Sequence, residues 1–223
     1  MDANSVFQRF LDSFRPMQLY LIRHGESTYN VEGRIQGQSD PGLSELGRRQ
    51  AQAIARRLAK SPIGVIFASP LRRATETAEF LAGALNLDIQ FDPRLKEIDA
   101  GEFQDLLRAD VRHRFPDAVG RWRSGELDFA FPGGESRRQL IARGREALLS
   151  VSHAGHDHAA IVSHGGLLLA AMKAVLGIAS DAPPLGMENA SITRLAVDGD
   201  DRVELVEFNS VEHLAGIESP KDC

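Results

Sequence analysis

Two short apolar runs, far apart in the chain, each end on a histidine followed by glycine, and that repetition limits the fold more than any other feature. Met17-Gln18-Leu19-Tyr20-Leu21-Ile22 leads into Arg23-His24-Gly25-Glu26, and Ala159-Ala160-Ile161-Val162-Ser163 leads into His164-Gly165-Gly166. Both runs are too short for a helix, the first contains the strand formers Tyr20 and Ile22, and the glycine lets the backbone turn sharply or approach a ligand. Two strands therefore each deliver one histidine to a loop, the place where α/β proteins hold their chemistry.

The residues between these copies alternate in period. Ser44 to Lys60 reads as a helix with Ala51, Ile54, Ala55 and Leu58 on one stripe and Arg48, Arg49, Arg56 and Arg57 mostly on the solvated side. Ile63 to Ala68 is the next strand, Pro70 sits near the start of a helix running to about Leu85, and Leu87 to Phe91 is a third strand. Arg94 to Gly134 is the least periodic part, with a helix over Leu106 to Phe115, then a turn-rich stretch through Trp122 and Pro132-Gly133-Gly134. It reads as an insertion over the functional edge of the sheet. Glu135 to Val151 is helical again, and a further helix runs from Gly166 to Val175. Two closing strands, Ser191 to Val197 and Arg202 to Phe208, are joined by the hairpin signal Asp198-Gly199. The pattern predicts a single α/β domain: a mostly parallel central sheet with helices on both faces and an antiparallel edge at its C-terminal end.

At 223 residues, with no linker or charge block dividing it, the chain reads as one domain over residues 17–215, preceded by a helical extension over 1–16 and followed by a tail over 216–223. In the extension Val6, Phe7, Phe10, Leu11 and Phe14 have helical spacing. Packing on the outside of the domain is the simplest use of that helix; a homodimer contact or a partial cover over the site are the others. The formal charge of -5 offers no general attraction for nucleic acid or an anionic membrane, so any anion site is a local cluster. No run approaches the length of a membrane span, and the N-terminus lacks a signal peptide's continuous apolar core. The single cysteine, Cys223, excludes an intrachain disulfide and points to a reducing compartment, the cytoplasm.

The histidine motifs belong to a longer series. Arg23-His24-Gly25-Glu26-Ser27 continues through Tyr29-Asn30, Arg34, Gln36-Gly37, Asp40 and Leu43-Ser44 to Gly47 and Gln50-Ala51. Ser69-Pro70-Leu71-Arg72-Arg73-Ala74, Leu95-Lys96-Glu97, Gly101, Pro132-Gly133-Gly134-Glu135-Ser136 and Val162-Ser163-His164-Gly165-Gly166 follow in order. From about Leu19 to Leu214 the chain resembles the histidine phosphatase superfamily, which includes cofactor-dependent phosphoglycerate mutases. Two departures stand out: Asp105 where a second glycine commonly follows Gly101, and Pro41-Gly42 before Leu43. The resemblance implies a phosphoglycerate mutase-like fold, a phosphohistidine formed on His24, and Glu97 as general acid. It further implies a phosphate cradle of Arg23, Asn30, Arg73, His164 and Gly165, acting on a small phosphorylated metabolite without a cofactor.

Those residue types suit the chemistry. Phosphoryl transfer spreads charge over three equatorial oxygens, so a site needs positioned donors and one nucleophile. Arg23 and Arg73 offer planar forks of N–H donors, and His164 adds a donor that is best when protonated. His24 must be neutral at its attacking nitrogen, with a backbone carbonyl near Gly25 holding the other, and as a loop residue it is expected to carry no core volume. A metal enzyme is one rival, on the cluster His153, His156 and His158 with Asp157, but that spacing is not a ligand signature and the reading is of no required metal. A non-catalytic phosphate binder is the second rival, and a mutase the third. The short stretch from Glu97 to His164 favours a phosphatase over a mutase, while no residue in Glu102 to Phe131 singles out a substrate.

Overall fold

The computed structural model describes residues 16–182 and 185–217, so the N-terminal helix read over 1–16 and Cys223 lie outside the described residues. Six strands form one sheet: β1 (Met17–Arg23), β2 (Val65–Ala68), β3 (Ile89–Phe91), β4 (His158–Ser163), β5 (Ile192–Val197) and β6 (Val203–Ser210), in the order β3-β2-β4-β1-β5-β6. The β3-β2-β4-β1 part is parallel, and β5 and β6 add an antiparallel edge. Helices α1 (Thr28–Glu32), α2 (Glu45–Leu58), α3 (Arg72–Leu85), α4 (Arg108–Arg114), α5 (Pro116–Arg123), α6 (Arg137–Ser152) and α7 (Gly165–Val175) complete the described architecture.

The two-residue period of β1 explains why the sheet is covered on both faces. Leu19 and Leu21 pack with Leu140, Leu148, Leu167 and Met172 of α6 and α7, whereas Tyr20 and Ile22 pack with Ile54, Leu58, Ala78 and Leu81 of α2 and α3. Fully burying each of the larger aliphatic side chains contributes roughly 1.5–3 kcal/mol, so either face suffices to fix the register of β1.

The insertion after β3 folds as a small cap with its own core, in which Phe103 stacks near Phe115 and Phe131, and Val111 and Phe129 are buried beside them. Here the structure corrects one expectation. The segment through Trp122 is not turn-rich but forms α5, with Pro116 at its first turn and Ala118, Val119 and Trp122 packed on the cap core. Eight residues are too few for that periodicity to stand out in the sequence.

The His153 cluster lies at the opposite end of the sheet, because His158 begins β4 and His164 follows its end, about 20 Å away at strand rise. His153 pairs with Asp201 at 2.9 Å. Among the described residues no group of three or more His, Cys, Asp or Glu is placed to hold a metal ion, and no helix is long and apolar enough to cross a membrane.

Candidate active site

Strand register builds the site. In the parallel pair β1/β4, Arg23 lies opposite Ser163, so the next residues, His24 and His164, emerge side by side, with ring centroids 5.2 Å apart in an edge-to-face arrangement. On the other side of β4, Ala68 of β2 lies opposite Val162, which carries Ser69 and the start of α3, including Arg73, to the same edge.

His24 Nδ1 lies 2.7 Å from the Gly25 carbonyl, and Arg73 Nε donates toward His24 Nε2 at 3.3 Å. A carbonyl accepts and a guanidinium donates, so these partners assign the proton to Nδ1 and a lone pair to Nε2. The imidazole is not the loop residue without core volume that the sequence suggests: it is only 2% exposed. Gly25 is clamped from two sides, its N–H donating to Thr77 Oγ1 at 3.1 Å and its Cα so close to α2 that an added Cβ would meet the Gly47 carbonyl at 2.5 Å. That clamp draws His24 inward.

Burial, reinforced by the guanidinium groups of Arg73 and Arg23, holds His24 well below the usual histidine value of 6.5. The same causes, burial first and Arg73 next, hold His164 well below it, so His164 favours the neutral form and donates through a ring N–H. Arg73 is fully buried, donates to the carbonyls of Gly37 and Ser39 at 2.8 Å each, and is lowered to about 10 by desolvation. Desolvation also lowers Arg23, whose Nη1 donates to the Met187 carbonyl.

Two buried nitrogens point to where an anion fits. Arg23 Nε and His164 Nδ1 have no hydrogen-bond partner among the described residues, although such groups are nearly always paired in folded proteins. His164 Nε2 lies 2.8 Å from Ser69 Oγ. With the serine hydroxyl donating to Nε2, the ring's proton resides on Nδ1 and is available as a donor.

Glu97 is fixed against the first turn of α7. Its Oε1 accepts from Ile98 N at 2.9 Å and Leu167 N at 3.0 Å, and its Oε2 accepts from Gly166 N at 3.0 Å. The fit requires glycine at 166, since an added Cβ would sit 2.5 Å from Oε1. Arg143 holds the Glu97 segment from behind, donating to the carbonyls of Arg94, Lys96 and Glu97 and pairing with Glu135.

Arg23, His24, Arg73, Glu97 and Gly165 line one cavity of about 500 Å³. Of the sequence-predicted set, His164 meets the His24 ring edge-to-face, and Asn30 is set back in the cap of α1, where its Oδ1 accepts from Ser27 N, Ser27 Oγ and Asn189 Nδ2. Sequence reasoning left Ser69, Arg143 and Asn189 without a role; Ser69 lay inside a quoted motif, and only the folded contacts reveal the other two. It also found nothing selective between Glu102 and Phe131, yet Arg108, Arg112, Trp122 and Arg123 line the cavity. Asp105, where a glycine is common, adopts φ +68°, so the left-handed backbone is kept by one of the residues that tolerates it.

The sequence matches the histidine phosphatase superfamily (branch 1) over residues 19–210. It is 39% identical over 193 residues to a glucosyl-3-phosphoglycerate phosphatase of Mycobacterium tuberculosis, covering 82% of this chain and 86% of that protein. It is 38% identical over 185 residues to the probable phosphoglycerate mutase GpmB of Proteus mirabilis, covering 80% and 84%. A solved structure of mycobacterial glucosyl-3-phosphoglycerate phosphatase in complex with VO3 superposes with a TM-score of 0.81 at 36% identity, covering 87% of this chain and 100% of that one. The matched span contains both strand-end histidines, the buried arginine of α3 and the carboxylate of Glu97, and the chain belongs to the histidine phosphatase superfamily.

Proposed function

We propose that the protein is a phosphomonoesterase that transfers the phosphoryl group of a small phosphorylated metabolite to His24 and then to water. The observation that carries this reading is the disposition of the His24 ring: Nδ1 is tied to the Gly25 carbonyl and the Nε2 lone pair faces the cavity side where Arg73 stands. The Arg73 contact to Nε2 is long, and an arriving phosphate oxygen competes for that guanidinium and frees the lone pair.

In the first step Nε2 forms the N–P bond as the ester P–O bond breaks. Arg23, Arg73 and His164 stabilise the equatorial oxygens, each such preorganised donor contributing about 3–4 kcal/mol to the transition state. Glu97, whose Oε2 accepts a single backbone donor, acts as the general acid toward the leaving alkoxide. In the second step Glu97 takes a proton from water as its oxygen attacks phosphorus, and the N–P bond breaks to release inorganic phosphate and regenerate neutral His24. The rim of the cavity is formed by exposed side chains, among them Arg108, Arg112 and Arg123, and solvent reaches it; this supports water over a second substrate hydroxyl as acceptor. The guanidinium groups of Arg23 and Arg73 supply the positive charge and neutral His164 an N–H donor, so on this reading the reaction requires no metal. A cytoplasmic location accords with the lone cysteine at the chain's end.

The test is hydrolysis of p-nitrophenyl phosphate by purified protein in excess chelator. Undiminished turnover with competitive inhibition by orthovanadate is expected, because the cradle is complementary to a trigonal oxyanion. Activity lost on chelation and restored by a divalent cation contradicts the reading.

A further inference from the structure

Glu97 stands on a segment with no regular structure of its own. Residues 96–100 belong to no helix or strand, so no backbone ladder holds them, and a carboxyl that must come within hydrogen-bond reach of a leaving oxygen depends on whatever else fixes its main chain. Most of that restraint comes from one side chain. Arg143 of α6 is not among the residues lining the cavity, yet every N–H donor of its guanidinium is engaged. Nη1 donates to the carbonyls of Arg94, at 2.7 Å, and Lys96; Nη2 donates to the carbonyl of Glu97 at 2.9 Å and to Glu135 Oε1; Nε donates to Glu135 Oε2 at 3.0 Å. Gln38 adds a longer bond to the Glu97 carbonyl at 3.2 Å.

Glu135 completes the clamp on the far side of Glu97. Its Oε1 also accepts from Asp99 N at 2.9 Å, and its own N–H donates to the Asp99 carbonyl at 3.0 Å. The segment is thus tied before Glu97, at Glu97 and after it, by one ion pair whose side chains are only 19% and 14% exposed. A buried pair of this kind gains little net stability, because desolvation offsets the attraction, whereas a planar fork fixes direction as well as distance. The Glu97 carboxyl is received separately by the N–H groups of Ile98, Gly166 and Leu167. Those donors meet it only while the Glu97 main chain stays where Arg143 holds it.

We infer that Arg143, paired with Glu135, is a positioning residue for the general acid: it acts through Glu97, holding that residue's backbone so that Oε2 meets the leaving oxygen, and it touches neither the phosphate nor the reacting atoms. This rests on the reading of the protein as a phosphomonoesterase with Glu97 as its acid. The expected signature follows from the physics of proton transfer. A displacement of Glu97 by about 1 Å costs up to about a hundredfold in rate, but only for a leaving group that needs the proton.

The experiment compares p-nitrophenyl phosphate with phenyl phosphate, whose leaving group has the greater need of a proton. The ratio of their kcat/KM values, which cover the steps up to P–O cleavage, isolates the acid, because a loss of folded protein or of phosphate binding lowers both alike. Glu97→Gln sets the scale and should raise the ratio, p-nitrophenyl over phenyl, by about a hundredfold, the size of a general-acid contribution. Arg143→Lys keeps the charge beside Glu135 but replaces the fork with one ammonium, and it should raise the ratio at least about fivefold. Glu135→Gln, which keeps the side-chain shape, should act in the same direction, and neither substitution should raise the ratio further in the Glu97→Gln background. Circular dichroism checks that each variant folds. A ratio that stays at the wild-type value in both variants, whatever happens to overall activity, or an effect that adds to that of Glu97→Gln, overturns the positioning role and leaves the enzyme reading in place. Wild-type protein that hydrolyses neither ester overturns the phosphatase reading, an unchanged ratio in Glu97→Gln overturns the acid, and the positioning role falls with either.

Discussion

His24 and His164 are neutral because the protein removes them from water and surrounds them with arginines, and that arrangement couples the site to stability. Below the usual histidine value of 6.5 the unfolded chain binds two protons that the folded site refuses. Their contribution to stability is therefore complete above about pH 6.5 and is lost as pH falls toward the depressed folded values, each histidine costing about 1.4 kcal/mol per pH unit in that window. Urea midpoints measured between pH 7.5 and 5 should fall, and a His164→Asn variant should show a shallower slope; a wild-type slope of zero contradicts neutral burial. At this scale much was legible. The tetrapeptides around His24 and His164 and the Arg72-Arg73 pair marked the site, whereas the burial of His24 was not, because it is imposed by Thr77 and Gly47, residues of other elements whose approach no local pattern records.

Helices α2 and α3 show how differently one residue type serves two elements. Gly47 in α2 touches the backbone after β1, and a Cβ there would meet the Glu26 carbonyl at 1.9 Å, while Gly83 in α3 is exposed with nothing within 4 Å. Gly47→Ala should destabilise by more than about 2 kcal/mol, since the overlap is with main chain that cannot rotate away. Gly83→Ala should stabilise by roughly 0.5–1 kcal/mol through helix propensity and a stiffer unfolded chain. Urea unfolding of the pair checks the contrast, and equal effects would mean that α2 does not brace the His24 turn. The long helices and the strands were readable from their 3.6- and two-residue periods, and the structure adds that Ser44 and Ser136 cap α2 and α6. In the cap over the cavity α4 was read as the helix over Leu106 to Phe115, but α5 was not legible, being only eight residues long, nor was the aromatic core that joins Phe103 to Phe129 and Phe131 across the insertion.

For the molecule as a whole, the parallel strands β2, β4 and β1 deliver Arg73, His164 and His24 to one edge, the segment after β3 brings Glu97 there, and the cap brings arginines over it. Phosphatase and mutase share that machinery and differ in what meets the phosphorylated intermediate. Both depend on the intermediate existing, and the most direct measurement is to trap it. Wild-type protein mixed with p-nitrophenyl phosphate, quenched in alkali where phosphohistidine survives, and digested for mass spectrometry should carry one phosphoryl group on the peptide containing His24. A His24→Asn variant is the control, because its amide can still donate to the Gly25 carbonyl where an alanine would leave that buried acceptor and the ring's volume unfilled. It should carry no phosphoryl group and lose turnover by at least about a thousandfold, as expected on removal of a nucleophile. Phosphoryl on another residue, or turnover retained by His24→Asn, would contradict the account.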